Sequence, residues 1–138
     1  MSAAPQVAIP KQPDDLDLAF FRATAEAGAL AVQRCSACGN WTHPARYFCP
    51  ACTSADFTFQ KTSGRGTVHS YTVSHMSVEP AWKARVPYVT IVAELEEGPR
   101  IVAAARGIAP EAVQIGQQVR IVTELYGTDF AYFWAELG

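Results

Sequence analysis

The sequence predicts a mainly β protein: an N-terminal helix, a small four-cysteine metal module and a C-terminal five-stranded barrel. Three observations carry that prediction. The cysteines come only as two pairs, Cys35-Ser36-Ala37-Cys38 and Cys49-Pro50-Ala51-Cys52. An acidic-headed apolar stretch precedes them. The second half of the chain holds five short runs rich in Val, Ile, Thr, Tyr and Phe, separated by Gly, Pro and acidic turns.

At 138 residues the chain can hold one ordinary domain plus a metal-stapled module. A hydrophobic share of 49% against 17% charged residues is that of a folded chain rather than a disordered one. The apolar stretches are too short and too often broken to cross a bilayer. The opening Met1-Ser2-Ala3-Ala4-Pro5 lacks the basic and apolar regions of a secretion signal, and with reduced thiols this points to the cytoplasm. A net charge of −2 argues against a broad nucleic-acid footprint, which needs clustered Lys and Arg.

Residues 1–13, with three prolines, read as a flexible or extended lead. Residues 14–29 form the helical segment: Asp14, Asp15 and Asp17 complement the positive end of the helix, and Gly28 is its stop. Leu16, Phe20, Ala23 and Ala27 make one stripe, while Leu18 and Phe21 widen the apolar surface. That surface either packs on the rest of the monomer or docks a partner.

The metal module spans residues 30–60. Leu30–Arg34 reads as a strand entering the first cysteine pair, Gly39 permits the tight turn after it, and Pro50 stiffens the second turn. Two C-x-x-C pairs can place four thiolates around one Zn²⁺ and leave no open position, so Cys35, Cys38, Cys49 and Cys52 are the expected ligands of one structural zinc per chain. Iron takes the same four soft ligands; a redox pair or a disulfide framework is the weaker alternative, since no other cysteine is present. Arg34 and Arg46 are placed to offset the negative cluster or to sit on the surface. His43 is expected as a loop or interface histidine. Trp41, Tyr47, Phe48, Phe57 and Phe59 are expected to pack around the cluster, some of them facing another protein.

Residues 61–138 form the strand-rich domain. Gly64-Arg65-Gly66 opens a run over Thr67–Ser74; further strands are expected at Tyr88–Leu95, Arg100–Arg106, Arg120–Tyr126 and Ala131–Leu137, with one helical turn at Ala109–Val113. Val89, Ile91, Ala93 and Leu95 share one face. Five such strands fit a small curved barrel of OB type, with an open sandwich as the competitor. The loop His75–Pro87 joins apolar Met76 and Trp82 to Lys83 and Arg85. It either holds a ligand or partner, or is a long hairpin loop whose Trp82 plugs the barrel.

The whole arrangement resembles the DUF35 family of acyl-CoA-associated proteins. The resemblance rests on Phe20-Phe21, Cys35-x2-Cys38-Gly39, Cys49-Pro50-x-Cys52, Ser63-Gly64-Arg65-Gly66-Thr67-Val68, Pro87-Tyr88-Val89, Glu94-Leu95-Glu96-Glu97-Gly98-Pro99-Arg100 and Ile115-Gly116-x2-Val119. It implies an N-terminal helix, a rubredoxin-like zinc ribbon and a C-terminal five-stranded OB-fold barrel, with the four cysteines matching the family's metal ligands. It further implies a non-catalytic accessory subunit of a thiolase-like enzyme (acyl transferase, thiolase or retro-aldol lyase) acting on acyl-CoA thioesters. Such a subunit stabilises its partner in a hetero-oligomer and helps form its substrate channel, with a CoA thioester at the shared interface. The family carries no universal catalytic triad onto these positions.

The residues themselves do not suggest an enzyme working alone. His69 and His75 have no evident orienting group, the cysteines are committed to metal, and Ser70, Ser74 and Glu79 belong to no motif. Phe20, Phe21, Trp82, Lys83 and Arg85 are the contact candidates. Two other functions stay open from the residues: a single-stranded nucleic-acid-binding protein, stacking bases on Tyr71 or Trp82, and an independent acyl-CoA-binding protein.

Overall fold

The computed structural model describes residues 14–137. The flexible lead expected at residues 1–13 lies outside the described residues.

Helix α1 spans Asp15–Ala27. Asp14 is its N-cap, its side chain accepting the Asp17 N–H at 2.7 Å, and Gly28 ends it in the left-handed conformation at φ 65°. The buried stripe is Leu16, Phe20 and Thr24. Thr24 takes the place expected for alanines because its Oγ1 accepts the Ala31 N–H at 3.2 Å, tying the helix to the strand that follows.

Strands β1 (Ala31–Cys35), β2 (Trp41–Thr42) and β3 (Phe57–Lys61) form an antiparallel sheet in the order β2-β1-β3. Strands β4 (Arg65–Ser74), β5 (Tyr88–Leu95), β6 (Arg100–Ala104), β7 (Gln118–Tyr126) and β8 (Phe130–Leu137) form the second sheet, ordered β6-β5-β4-β7-β8. A short helix α2 (Pro80–Lys83) lies in the β4–β5 connection, and a 3₁₀ turn at Pro110–Ala112 lies where one helical turn is expected. The alternation along β5 buries Val89, Ile91, Ala93 and Leu95 as predicted. One core joins the two sheets: Leu30 and Val32 of the first strand region pack with Phe20, Val68, Ile91, Ile101 and Ile121. At Gly66 the backbone of β4 comes so close to β5 that a Cβ there would overlap the Glu94 carbonyl oxygen.

The expected closed barrel is not formed. The five strands are present, but β6 and β8 remain the edges of an open sheet. Among the described residues no ladder joins them; just past β6 there is one isolated parallel bridge, Ala105 to Ala135, beside a 2.9 Å bond from the Arg106 N–H to the Ala135 carbonyl. Beyond it, β6 is only five residues long and Gly107, at φ 69°, turns the chain away. Closure needs strands about 4.8 Å apart, whereas Phe21, Phe130, Tyr132 and Phe133 line a cavity of about 190 Å³ along the seam.

Candidate metal centre

Two matching turns present the four cysteines. In the first, the Cys35 N–H bonds to the Asn40 carbonyl at 2.9 Å and the Gly39 N–H returns to the Cys35 carbonyl at 3.0 Å. In the second, the Cys49 N–H bonds to Ser54 and the Thr53 N–H to the Cys49 carbonyl, both at 2.8 Å. The fourth residue after each leading cysteine is left-handed: Gly39 at φ 78° and Thr53 at φ 67°.

All four Sγ atoms lie within 4.8 Å of one another, with Cys35–Cys52 and Cys38–Cys49 each at 3.6 Å. These separations exclude a disulfide, whose sulfurs stand about 2.05 Å apart. A tetrahedral ion with Zn–S bonds of about 2.3 Å places its sulfurs roughly 3.8 Å apart, so the donor set fits zinc in both size and chemistry. As bare thiols the cluster is in conflict. The Cys38 backbone N–H, aided by that of Ala37, pulls the Cys35 thiol down to about 6. The Ser54 N–H works the same way on Cys52, but the Cys35 and Cys38 sulfurs outweigh it and push that thiol up to about 12. Four thiolates in this space require a metal cation among them.

The surroundings brace the turns. Arg34 donates from Nε to the Gly39 carbonyl at 3.1 Å and lies 4.8 Å over the Trp41 ring, so it holds the first turn. Arg46 acts through its backbone, clamped by Gln33, a buried residue that the spacing of the cysteines does not flag. Phe57 and Phe59 stack edge-to-face at 5.7 Å on β3, a strand hidden in the sequence among aromatic residues. Tyr47 and Phe48, at 58% and 65% exposure, project outward beside Cys49. His43 is not a ligand: its ring lies 5.0 Å from that of Phe20. Burial pushes its pKa down to about 4, against the opposing pull of the Asp17 carboxylate.

The other candidates disperse. Phe20 is a core residue, 5% exposed, and so is not available to a partner; Phe21 is half-buried against Phe130, with ring centroids 4.5 Å apart. Trp82 does not enter the core but stacks on Tyr88 at 4.8 Å and Trp134 at 6.1 Å, with Arg85 over both tryptophans at 5.6 and 4.9 Å. Lys83, Met76 and Val78 are exposed on the same loop. His69 stands 3.7 Å from Glu94 on an exposed strand face, and His75 is exposed. No described helix is long and apolar enough to cross a membrane.

A helix, a four-cysteine ribbon sheet and a five-stranded open sheet sharing one core define a zinc-ribbon protein with an OB-type second sheet. Residues 22–58 match the model of the ChsH2 rubredoxin-like zinc ribbon domain, and residues 59–124 that of the ChsH2 C-terminal OB-fold domain. A DUF35 domain-containing scaffold protein of Methanocaldococcus jannaschii is 36% identical over 110 residues, covering 79% of this chain and 77% of that one. The chain belongs to the DUF35 family.

A probable enoyl-CoA hydratase alpha subunit of Thermomonospora curvata is 38% identical over 115 residues, 83% of this chain. The chain spans only 35% of that protein's length. Among solved structures, a chain of an Ltp2-ChsH2(DUF35) aldolase superposes with a TM-score of 0.75 at 33% identity, over 96% of this chain and 98% of that one.

Proposed function

We propose that this chain is a non-catalytic accessory subunit of a thiolase-like enzyme acting on acyl-CoA thioesters: an acyl transferase, a thiolase or a retro-aldol lyase. The observation that carries the reading is the end-to-end likeness to the DUF35 chain of an aldolase, which extends over both modules rather than over the metal turns alone. In this reading residues 14–29 form the helical segment, 30–60 the ribbon and 61–138 the second domain. Cys35, Cys38, Cys49 and Cys52 hold one structural Zn²⁺. Bound there, zinc satisfies four thiolates and fixes the two turns relative to each other; it activates no water, because no coordination position stays open.

The chemistry then belongs to the partner. Its own nucleophile and base act on the thioester, while this chain steadies the partner and helps wall its substrate channel, with a CoA thioester at the interface. Tyr47, Phe48, Met76, Val78 and Lys83 are the exposed candidates for contact. The setting is the cytoplasm, where the thiols stay reduced. Co-expression with the thiolase-like enzyme of the same organism tests this. A stable complex by mass measurement and a partner turnover that depends on this chain are expected. No association, with partner solubility and turnover unchanged, overturns it.

A further inference from the structure

The open seam between β6 and β8 has an apolar interior, and an aromatic group carrying arginines lies beyond Tyr132. Phe21, Val102, Ala104, Phe130, Tyr132 and Phe133 line its cavity of about 190 Å³, and Val102, 58% exposed, leaves it reachable from solvent. Tyr132 continues the cavity into a second aromatic group: its ring lies 4.9 Å from Trp134, which with Trp82 flanks the half-buried guanidinium of Arg85. Burial pushes the Tyr132 hydroxyl up, and the Arg85 charge opposes that push.

The two arginines of this cluster differ in one respect. Arg106, 5.8 Å over Trp134, is paired with Glu124 at 3.3 Å and Glu136 at 2.9 Å. Glu124 also receives the Trp134 indole N–H at 3.3 Å. Among the described residues Arg85 enters no ion pair. A guanidinium stacked on aromatic rings keeps its N–H edge free, and that edge matches a carboxylate with two parallel hydrogen bonds.

We propose that this seam binds a monocarboxylate with an unbranched alkyl chain, the chain lying between β6 and β8 and the carboxylate meeting Arg85 beyond Tyr132. Charge complementarity selects the head group: among the described residues Arg85 enters no ion pair, and it lies beyond the apolar cavity, past the Tyr132 and Trp134 rings. Size selects the tail. The cavity, about 190 Å³, is smaller than the roughly 300–1,000 Å³ of pockets that enclose drug-sized ligands, and a slim alkyl chain suits it better than a bulky group. The site goes beyond the accessory role and does not rest on it, because the zinc-loaded chain by itself forms it.

Calorimetry and tryptophan fluorescence on the full zinc-loaded chain test the proposal, with octanoate, octanol and inorganic phosphate as probes at constant ionic strength. Octanoate is expected to bind saturably at one per chain and to change the emission of Trp82 and Trp134. Octanol, which has the tail without the charge, is expected to bind about tenfold more weakly, the worth of one charge-assisted pair. Phosphate should not bind measurably. Arg85→Met, which keeps the stem on the tryptophans, should reduce octanoate to the level of octanol, and Val102→Phe should weaken both. Each variant is first shown to keep its zinc and its melting temperature; should Arg85→Met not, Arg85→Gln takes its place. Equal binding of octanoate and octanol, undiminished octanoate binding without Arg85, or no saturable binding of octanoate overturns the proposal.

Discussion

The side-chain amide of Gln33 holds both backbone polar groups of Arg46. Its Nε2 donates to the Arg46 carbonyl at 2.6 Å and its Oε1 accepts the Arg46 N–H at 2.8 Å. Gln33 is 5% exposed on β1, so a buried side chain satisfies both backbone groups of Arg46 in the segment linking the two cysteine turns. Gln33→Leu leaves the part-buried N–H and carbonyl of Arg46 without these partners, at up to about 1–3 kcal/mol each to the extent that water is kept out. We expect a stability loss of about 2–3 kcal/mol by urea unfolding. Gln33→Glu should lose more at pH 7, because its carboxylate accepts the N–H but opposes the carbonyl.

The sulfur cage makes the ribbon depend on metal in a way the second sheet does not. Cys49→Ala is expected to take zinc, measured by elemental analysis of protein purified reduced and without chelator, from one per chain to near zero. Chelation of the parent chain should raise amide hydrogen exchange in β1, β2 and β3, while β5, whose Val89, Ile91, Ala93 and Leu95 are all buried, stays protected. Zinc retained without Cys49 would remove that residue from the ligand set.

How far the sequence could be read follows from which residues carry local signals. Spaced thiolates mark a metal wherever they fall, so the four-cysteine cage was legible, and strict alternation marked β5 to the residue. Strand β3 was not, since Phe57 and Phe59 alternate with polar residues but also look like aromatic packing around a metal. The closed barrel failed for a different reason. Closure depends on whether β6 and β8 reach each other across the fold, and nothing within Arg100–Ala104 or Phe130–Leu137 reports that distance. Gln33 is invisible for the same reason: its partner lies 13 residues away, in a loop without regular structure.

His43 gives the chain an acid-side liability separate from loss of metal. Burial beside Phe20 lowers its folded pKa to about 4, from 6.5 in the unfolded chain. Between those values the unfolded state binds the proton and the folded state does not, so stability falls as pH drops from 6.5 and levels off near 4. The full effect is on the order of 3 kcal/mol at 1.36 kcal/mol per unit. His43→Phe, which keeps a ring against Phe20, should flatten the stability profile over this window. Urea midpoints at pH 4.5 and 7 for both proteins measure it; an equal drop in the variant would place the titration elsewhere.

The two cysteine turns require the same backbone and meet the requirement with different residues. Gly39 takes φ 78° without steric cost, whereas Thr53, at the equivalent place after Cys49, takes φ 67° with a branched Cβ. A left-handed β-branched residue is a true outlier and costs about 1–2 kcal/mol, held here by the Thr53 N–H bond to the Cys49 carbonyl. Thr53→Gly should therefore raise stability by about 1 kcal/mol while zinc content stays the same. The reciprocal change, Gly39→Thr, should lower it by a similar amount through the left-handed backbone alone, since its Cβ would meet the Arg34 guanidinium at 3.7 Å, an ordinary contact. Thermal unfolding of the two variants side by side decides the matter. If Thr53→Gly is the less stable of the pair, the left-handed strain is not what distinguishes the two turns.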